Sequence, residues 1–140
     1  MEPITPYLNF NGNATEALAF YAKAFDGEIV FQQPYGDSPM AGSPDWKDKI
    51  MHATFQAGSL TLMASDIPGE GADKVTAGTN TQLSLNFKHE EDIDRVFAAM
   101  SDGAHITMAL QDTFWGAKFG MLTDKFGISW MFNFDRPKEQ

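Results

Sequence analysis

The chain has 140 residues, no cysteine and a formal net charge of -9, with 19 acidic against 10 basic side chains. This length fits one ordinary domain that buries its own core without disulfides or a structural metal. The lack of cysteine in the sequence excludes disulfide bridges, thiolate metal sites and a cysteine nucleophile. An acidic chain is repelled by phosphate backbones and by anionic lipid surfaces, so we expect neither nucleic acid nor a membrane as a partner.

We expect neither secretion nor membrane insertion from this sequence. Its first residues, Met1-Glu2-Pro3-Ile4-Thr5-Pro6, contain neither a basic region nor the apolar run of a signal peptide. No later segment approaches the length that spans a bilayer. We therefore expect a cytoplasmic protein.

The first half of the sequence predicts a strand, a helix and three further strands. Residues 7–10 are apolar enough for a short strand, and residues 11–16 are typical of a helix start. Apolar residues then recur at steps of three and four, which predicts a helix over 14–26 that Gly27 ends in the left-handed conformation. Strands over 28–33, 49–56 and 59–65 follow, with an irregular loop over 34–46 after the first of them.

The second half of the sequence repeats this order. Leu85-Asn86-Phe87 matches Leu8-Asn9-Phe10, and Asp102-Gly103 matches Asp26-Gly27. The repeat is completed by an amphipathic helix pattern and three predicted strands, which lie over 105–111, 118–123 and 128–134. An internal duplication therefore predicts an α+β fold of two tandem βαβββ modules, at 1–66 and 81–136. The segment 67–80 is expected to be a linker, and the two modules are expected to form one structural domain.

Seven short motifs carry a resemblance to a known family. They are Pro6-Tyr7-Leu8-Asn9-Phe10, Ala17-Leu18-Ala19-Phe20-Tyr21, His52-Ala53, Ser65-Asp66, Gln111-Asp112-Thr113-Phe114-Trp115, Thr123-Asp124-Lys125-Phe126-Gly127 and Trp130-Met131. With these motifs the chain resembles the vicinal-oxygen-chelate superfamily of glyoxalases, bleomycin-resistance proteins and extradiol dioxygenases, and within it the PhnB-like branch. The resemblance implies mixed β-sheets that curl around a ligand, helices on their outer face, and a homodimer.

Members of this branch often carry the label 3-demethylubiquinone-9 3-methyltransferase. A methyltransferase must hold S-adenosylmethionine, commonly with a glycine-rich turn between a strand and a helix. In this sequence Gly69-Glu70-Gly71 lies in the linker, and no helical pattern follows it. We therefore do not expect methyl transfer, and we predict no cofactor.

Alternation along the strands divides their side chains between a face beneath the helices and an open face. The open face is semi-polar, which by itself is typical of a sheet with one face in water. Together with the resemblance, the same pattern implies a pocket for a small organic molecule. The predicted ligand-binding residues are Tyr7, Asn9, Thr54, Met63, Gln82, Ser84, Asn86, Trp115 and Met131.

The resemblance also implies where a metal ion would bind in the superfamily's metal enzymes, which use His and Glu ligands from the first and last strands of each repeat. The repeat places these positions at Thr5, about Met63, Gln82 and Met131. None of these side chains is a carboxylate or an imidazole, the groups that Mg²⁺, Mn²⁺, Fe²⁺ and Zn²⁺ prefer. We therefore predict no metal ligands and a metal-independent pocket.

His52 is the one candidate for a catalytic residue. It lies in the middle of a strand on the open face, where an imidazole could act as a general base or fix the carbonyl group of a ligand. A histidine that simply bonds to a cross-strand partner such as Tyr7 or Asn9 fits the pattern equally well. The alternative function is thus a lyase, isomerase or other superfamily enzyme that uses His52 as base or an unrecognised divalent metal site.

Phe114 and Trp115 stand in a tight connection between two predicted strands, where turn geometry does not require large aromatic side chains. They either form a wall of the pocket or contact a second subunit, since interfaces also use aromatic anchors. His89 and His105 are expected at the surface, and Asp124 is expected to accept backbone hydrogen bonds in a turn.

Overall fold

Eight strands and two α-helices are found in the residues that the structure describes, which are 1–39, 44–68 and 74–137 of a computed structural model. The chain divides into a first unit, Met1–Thr76, and a second unit, Ala77–Gln140. Each unit has the order strand, helix, three strands, so the predicted α+β fold of two tandem βαβββ modules is confirmed. That the modules form one structural domain, joined by a linker over 67–80, stays a prediction.

The first unit contains a four-stranded mixed sheet and one α-helix. Its elements are β1 (Tyr7–Phe10), α1 (Ala14–Phe25), β2 (Glu28–Pro34), β3 (Ile50–Ala57) and β4 (Leu60–Asp66). The strand order is β1-β4-β3-β2, in which β1 runs parallel to β4 and the other pairs are antiparallel. In the loop predicted after β2, Tyr35–Asp37 and Pro44–Trp46 form short 3-10 turns, while residues 40–43 lie outside the described residues.

The second unit has the same topology. Its elements are β5 (Leu83–Phe87), α2 (Glu90–Met100), β6 (His105–Asp112), β7 (Ala117–Thr123) and β8 (Ser129–Asp135), in the strand order β5-β8-β7-β6. The pair β5 and β8 is parallel, and the other pairs are antiparallel. Within the described ranges, neither helix is both long and apolar enough to cross a bilayer.

The core of each unit lies between its helix and one face of its sheet. In the first unit Phe55 and Leu62 are fully buried, and Phe25 of α1 packs on Phe55 with ring centroids 6.3 Å apart. In the second unit Phe97 of α2 meets Phe132 edge-on at 5.0 Å. Burying a side chain of this size contributes about 1.5–3 kcal/mol, so these contacts hold each helix on its sheet.

The end of α1 differs from the prediction that Gly27 supplies the left-handed residue. Asp26 takes that conformation, with φ 55° and ψ 48°, and its N–H donates to the carbonyl oxygen of Ala22. Aspartate adopts this region more readily than most residues because its short polar side chain can bond locally. The prediction for Gly27 is therefore wrong; this glycine is required because the chain passes close to β3.

Two buried carboxylates order the backbone, one in each unit. Asp66 is fully buried, and its Oδ1 and Oδ2 accept hydrogen bonds from the N–H groups of Ala14 and Ile50, both at 2.9 Å. Asp124 accepts bonds from the N–H of Phe126 at 2.8 Å and from the indole N–H of Trp130 at 2.8 Å. Asp66 thus caps the first turn of α1, and Asp124 shapes the turn between β7 and β8 as predicted.

An ion-pair network joins α2 to the strands of the second unit. Arg136 donates two bonds to the carboxylate of Glu90, at 3.1 and 2.8 Å, and Lys118 donates another at 3.2 Å. Arg136 also donates from Nε to Asp112 at 2.8 Å. The hydrogen bonds from Arg136, and to a smaller extent the one from Lys118, hold the pKa of Glu90 at about 2, well below its usual value.

Replacement of Glu90 by glutamine is expected to remove a pH-dependent part of the stability. Because the pKa of Glu90 is lowered in the folded protein, its carboxylate stabilises the fold above the usual glutamate pKa, and this contribution is lost as the pH falls towards about 2. The difference in the free energy of unfolding between wild type and Glu90→Gln should therefore shrink between about pH 6 and about pH 2, as measured by urea unfolding.

Glu91→Gln is the matched control, since Glu91 is exposed in the same first turn of α2. Its carboxylate lies near the same positive end of the helix dipole as that of Glu90, but it takes part in none of the ion pairs found in the described residues. An equal pH dependence for both variants would show that the helix end, and not the pairing of Glu90, causes the effect.

Candidate functional site

The open face of the first unit is the sheet face opposite α1. On it a row of side chains crosses all four strands, formed by Tyr7, Met63, Thr54 and Phe31 in register. The alternation predicted for β1 is confirmed, because Leu8 and Phe10 are buried while Tyr7 and Asn9 are exposed. The row contains no charged side chain and consists of a phenol, a phenyl ring, a thioether and an aliphatic hydroxyl.

His52 lies beside this row and is bonded to Tyr7. The hydroxyl oxygen of Tyr7 lies 2.9 Å from Nδ1 of His52, and the two ring centroids are 5.6 Å apart. The hydrogen bond between His52 and a cross-strand partner, which the strand pattern allowed, is thus present, and the partner is Tyr7. Because β4 lies between β1 and β3, the bond bridges a strand.

Phe31 completes an aromatic cluster with Tyr7 and His52. Its ring centroid lies 6.0 Å from that of His52, inside the range of favourable ring contacts. Tyr7 keeps 46% and Phe31 keeps 51% of its surface exposed. The first unit therefore presents two large aromatic side chains to the outside, with an imidazole between them.

Sequence reasoning missed Phe31 because β2 contains a bulge. Ile29 pairs with Phe55 of the core face, and plain alternation would place Phe31 on that same face. The register shifts between Ile29 and Phe31, so that Phe31 pairs with Thr54 instead. The extra residue turns the phenyl ring to the open face. A strand pattern gives no signal for such a shift.

The open face of the second unit carries a corresponding row. It is formed by Ser84, Met131, Met121 and Met108 in register. Beside it, Asn133 donates a hydrogen bond to Asn86 at 3.1 Å. Alternation in β7 could have indicated Met121, whereas a register shift after Ile106 in β6 places Met108 on this face. Three neighbouring thioethers make this a soft, adaptable apolar surface.

The turn between β6 and β7 presents Phe114 and Trp115. Phe114 is 96% and Trp115 is 55% exposed, and the two rings meet edge-on with centroids 5.0 Å apart. Trp115 also packs on Phe119 of β7 at 5.8 Å. The turn therefore holds the indole against its own sheet while the phenyl ring points away from the unit's core.

The predicted site residues divide between the two units. The first unit brings together Tyr7, His52, Thr54 and Met63, and Asn9 lies two residues further along β1, opposite Ser65. The second unit brings together Ser84, Asn86 and Met131 on one face. Gln82 precedes β5 and is exposed, and Trp115 lies in the turn described above. His89 and His105 are exposed, as expected.

The donor set at the positions where the resemblance implies a metal ion does not fit a hard divalent ion. Thr5 offers a hydroxyl, Gln82 an amide, and Met63 and Met131 offer thioethers. Within 1–39, 44–68 and 74–137, no three or more acidic or histidine side chains are grouped so that they could hold a metal ion. The chain's own residues therefore supply no set of carboxylate or imidazole ligands there.

The turns between strand and helix do not fit S-adenosylmethionine either. After β1, the N–H of Ala14 is already bonded to Asp66, and Lys49 donates to the carbonyl oxygen of Gly12 at 2.7 Å. After β5, the first turn of α2 contains three acidic residues, which repel a ligand carboxylate. Gly69-Glu70-Gly71 lies outside the described residues.

Comparison with known proteins identifies the family. Residues 2–132 match the family model described as 3-demethylubiquinone-9 3-methyltransferase. The crystal structure of protein PA1353 from Pseudomonas aeruginosa is 42% identical, with a TM-score of 0.84, and the match covers 98% of this chain and 100% of that one. A PhnB protein from Bacillus cereus is 33% identical, with a TM-score of 0.77, over 95% of this chain and 99% of that one.

A more distant match shows the fold alone. A glyoxalase-related enzyme from Fulvimarina pelagi is 16% identical, with a TM-score of 0.62, and the match covers 96% of this chain and 89% of that one. The resemblance drawn from the sequence motifs is thus confirmed at the level of family and fold. The chain belongs to the family of the 3-demethylubiquinone-9 3-methyltransferase model, the PhnB-like family, and has the fold of the glyoxalase and bleomycin-resistance superfamily.

Proposed function

We propose that this protein binds a small, uncharged or weakly polar organic molecule on the open face of the first unit, and that it does so without a metal ion. One observation carries the proposal: Tyr7, Phe31 and His52 form an aromatic cluster in which the side chains of Tyr7 and Phe31 stay about half exposed. Exposed aromatic groups that adjoin one another, with a few polar atoms among them, are typical of ligand sites.

The composition of the row supports a neutral ligand. Tyr7, Met63, Thr54 and Phe31 contribute no formal charge, and the polar atoms beside them belong to a hydroxyl, an imidazole and the amide of Asn9. A charged ligand leaves water only where an opposite charge meets it. An aromatic molecule with one polar group suits these side chains better.

The second unit supports the same class of ligand. Its row of Met108, Met121 and Met131 offers flexible thioether side chains that adapt to different apolar shapes, and Ser84 and Asn86 add neutral polar groups. We propose Gln82, Ser84, Asn86 and Met131, which strand alternation predicts, and Trp115 in the turn after β6 as further ligand-binding residues.

Methyl transfer is not the function that these residues favour, although the description of the family model names it. The helix end after β1 is occupied by Asp66, and the helix end after β5 is acidic. The role proposed here is a binder that holds its ligand, as in sequestration or resistance. We also propose that the protein acts as a cytoplasmic homodimer, for which the exposed Phe114 and Trp115 are residues of the type that interfaces use.

Truncation of Phe31 is expected to weaken binding at this face. Acetophenone, anisole and benzamide serve as neutral aromatic probes, added to EDTA-treated, isotope-labelled protein. Binding should shift the backbone amide signals of Tyr7, Phe31 and His52 in NMR spectra. Phe31→Ala should raise the dissociation constant about tenfold, because an aromatic contact contributes about 0.5–1.5 kcal/mol beyond the burial of its area.

Val30→Ala is the matched control, because Val30 is 45% exposed and is the unpaired bulge residue of the same strand. Its truncation should leave the dissociation constants unchanged. The proposal is wrong if none of the probes shifts signals of the first unit, or if binding occurs only after a divalent metal is restored.

The alternative is an enzyme in which His52 acts as a general base. The specific observation in its favour is the hydrogen bond between the hydroxyl of Tyr7 and Nδ1 of His52, which holds the imidazole in one orientation. Once a substrate is found, unchanged turnover by His52→Ala would exclude this role. A divalent metal that copurifies in stoichiometric amount would instead favour a metal enzyme.

A further inference from the structure

We infer that Tyr7 fixes the tautomer of His52 and thereby makes His52 a hydrogen-bond donor to the bound molecule, which would be an aromatic compound with an acceptor oxygen such as a carbonyl. This inference rests on the proposed function of the open face. It assigns Tyr7 as a positioning residue and His52 as the residue that selects ligands by their polar group.

The geometry holds the two side chains in a defined relation. Tyr7 lies in β1 and His52 in β3, and both strands are hydrogen-bonded to β4 between them. The 2.9 Å separation of the phenol oxygen and Nδ1 therefore joins two side chains on a rigid sheet. Phe31 packs on the imidazole at 6.0 Å and further restricts its rotation.

The chemistry of the two groups sets the direction of the bond. A neutral imidazole has one N–H donor and one unprotonated nitrogen that accepts. A phenol hydroxyl is a good donor, whereas its oxygen is a poor acceptor because its lone pair is delocalised into the ring. Tyr7 therefore donates to Nδ1, and the proton of the neutral His52 imidazole resides on Nε2.

Nε2 is the atom left to contact a ligand. In the part of the chain that the structure describes, the only hydrogen bond of the His52 ring is the one from Tyr7 at Nδ1. In the same part, no fully buried side-chain nitrogen or oxygen lacks a partner, so Nε2 is at least partly exposed. A protonated Nε2 beside the rings of Tyr7 and Phe31 would donate to an oxygen on a flat apolar molecule.

This tautomer also bears on the enzyme alternative. A general base needs an unprotonated nitrogen that faces the substrate. If Nδ1 is occupied by Tyr7 and Nε2 carries the proton, the neutral His52 imidazole has no free lone pair to offer. His52 then orients a ligand by donation and does not remove a proton from it.

The first test needs no ligand. Long-range ¹H–¹⁵N NMR spectra at about pH 8 distinguish protonated from unprotonated ring nitrogens in neutral imidazoles. For His52 we expect one pure tautomer with the proton on Nε2, whereas the exposed His89 and His105 should show averaged mixtures. Tyr7→Phe should bring His52 to such a mixture. Tyr35→Phe removes a hydroxyl that donates to the backbone oxygen of Asp66, and this variant should leave the tautomer of His52 unchanged.

A proton on Nδ1 in the wild type would overturn the inference, and so would a His52 signal that Tyr7→Phe leaves unchanged. Tyr7 is exposed and its ring is kept in this variant, so loss of folding does not obscure the result. Backbone amide spectra of both variants verify that each sheet is intact.

The second test separates this inference from the proposed function. Acetophenone is compared with α-methylstyrene, in which a CH₂ group replaces the carbonyl oxygen. The wild type should bind acetophenone about tenfold more tightly, and Tyr7→Phe should lose most of this preference. Equal binding of both probes would overturn the donor role but leave the proposed function standing. Binding of neither probe would overturn both, even if His52 shows the expected tautomer.

Discussion

Asp66→Ala is expected to lower the free energy of unfolding by about 3 kcal/mol, because it leaves two buried backbone N–H groups without a partner. Each such group costs about 1–3 kcal/mol. Asp66 has no exposed surface, so water does not reach its position to replace the carboxylate. Equilibrium unfolding in urea measures the loss.

The control for this prediction is Asp37→Ala, which removes an exposed carboxylate from the same unit. It should change stability by less than about 0.5 kcal/mol. Asp66→Asn adds a sharper comparison, since it keeps the shape but turns one acceptor oxygen into a donor that faces an N–H. If Asp66→Ala and Asp37→Ala are equally stable, the capping role of Asp66 is wrong.

Gly27→Ala is expected to cost about 3 kcal/mol or to prevent folding, because the added methyl group has no space. A Cβ at Gly27 would lie 2.6 Å from the carbonyl oxygen of Gln56 and 2.6 Å from Cζ of Phe55. One of these neighbours is backbone of β3, so the clash cannot be relieved by rotating a side chain. The chain between α1 and β2 would have to move off the sheet.

Gly78→Ala provides the matched control. A Cβ at Gly78 would meet no atom closer than the side-chain oxygen of Asn80 at 3.7 Å, and the backbone there does not require glycine. This variant should unfold at nearly the wild-type urea concentration. Equal midpoints for Gly27→Ala and Gly78→Ala would mean that β3 does not approach Gly27 as closely as described.

Local patterns predicted the elements and most of the face assignment. The recurrence of apolar residues at steps of three and four predicted α1 to within one residue of its observed range. The alternation of side chains along β1 placed Leu8 and Phe10 in the core and Tyr7 outside it. These features depend on neighbours in the sequence, so the sequence pattern carries them.

The parts that sequence reasoning missed depend on distant residues. The bulge that exposes Phe31 is visible only in the pairing of β2 with β3. The strand pattern fits Tyr7 and Asn9 equally well as partners of His52. The bond between Tyr7 and His52 follows from the order β1-β4-β3, which makes residues 45 positions apart neighbours. The role of Gly27 was misjudged because the close approach comes from Gln56, which no local pattern indicates.

The cap on α1 also affects when the first unit is able to fold during synthesis. The N–H of Ala14 is bonded to a side chain 52 positions later in the chain. The start of α1 therefore lacks this partner until the last strand of the unit has left the ribosome and docked. Contacts so far apart in sequence slow folding, so the nascent first unit should acquire its stable form in a single late step.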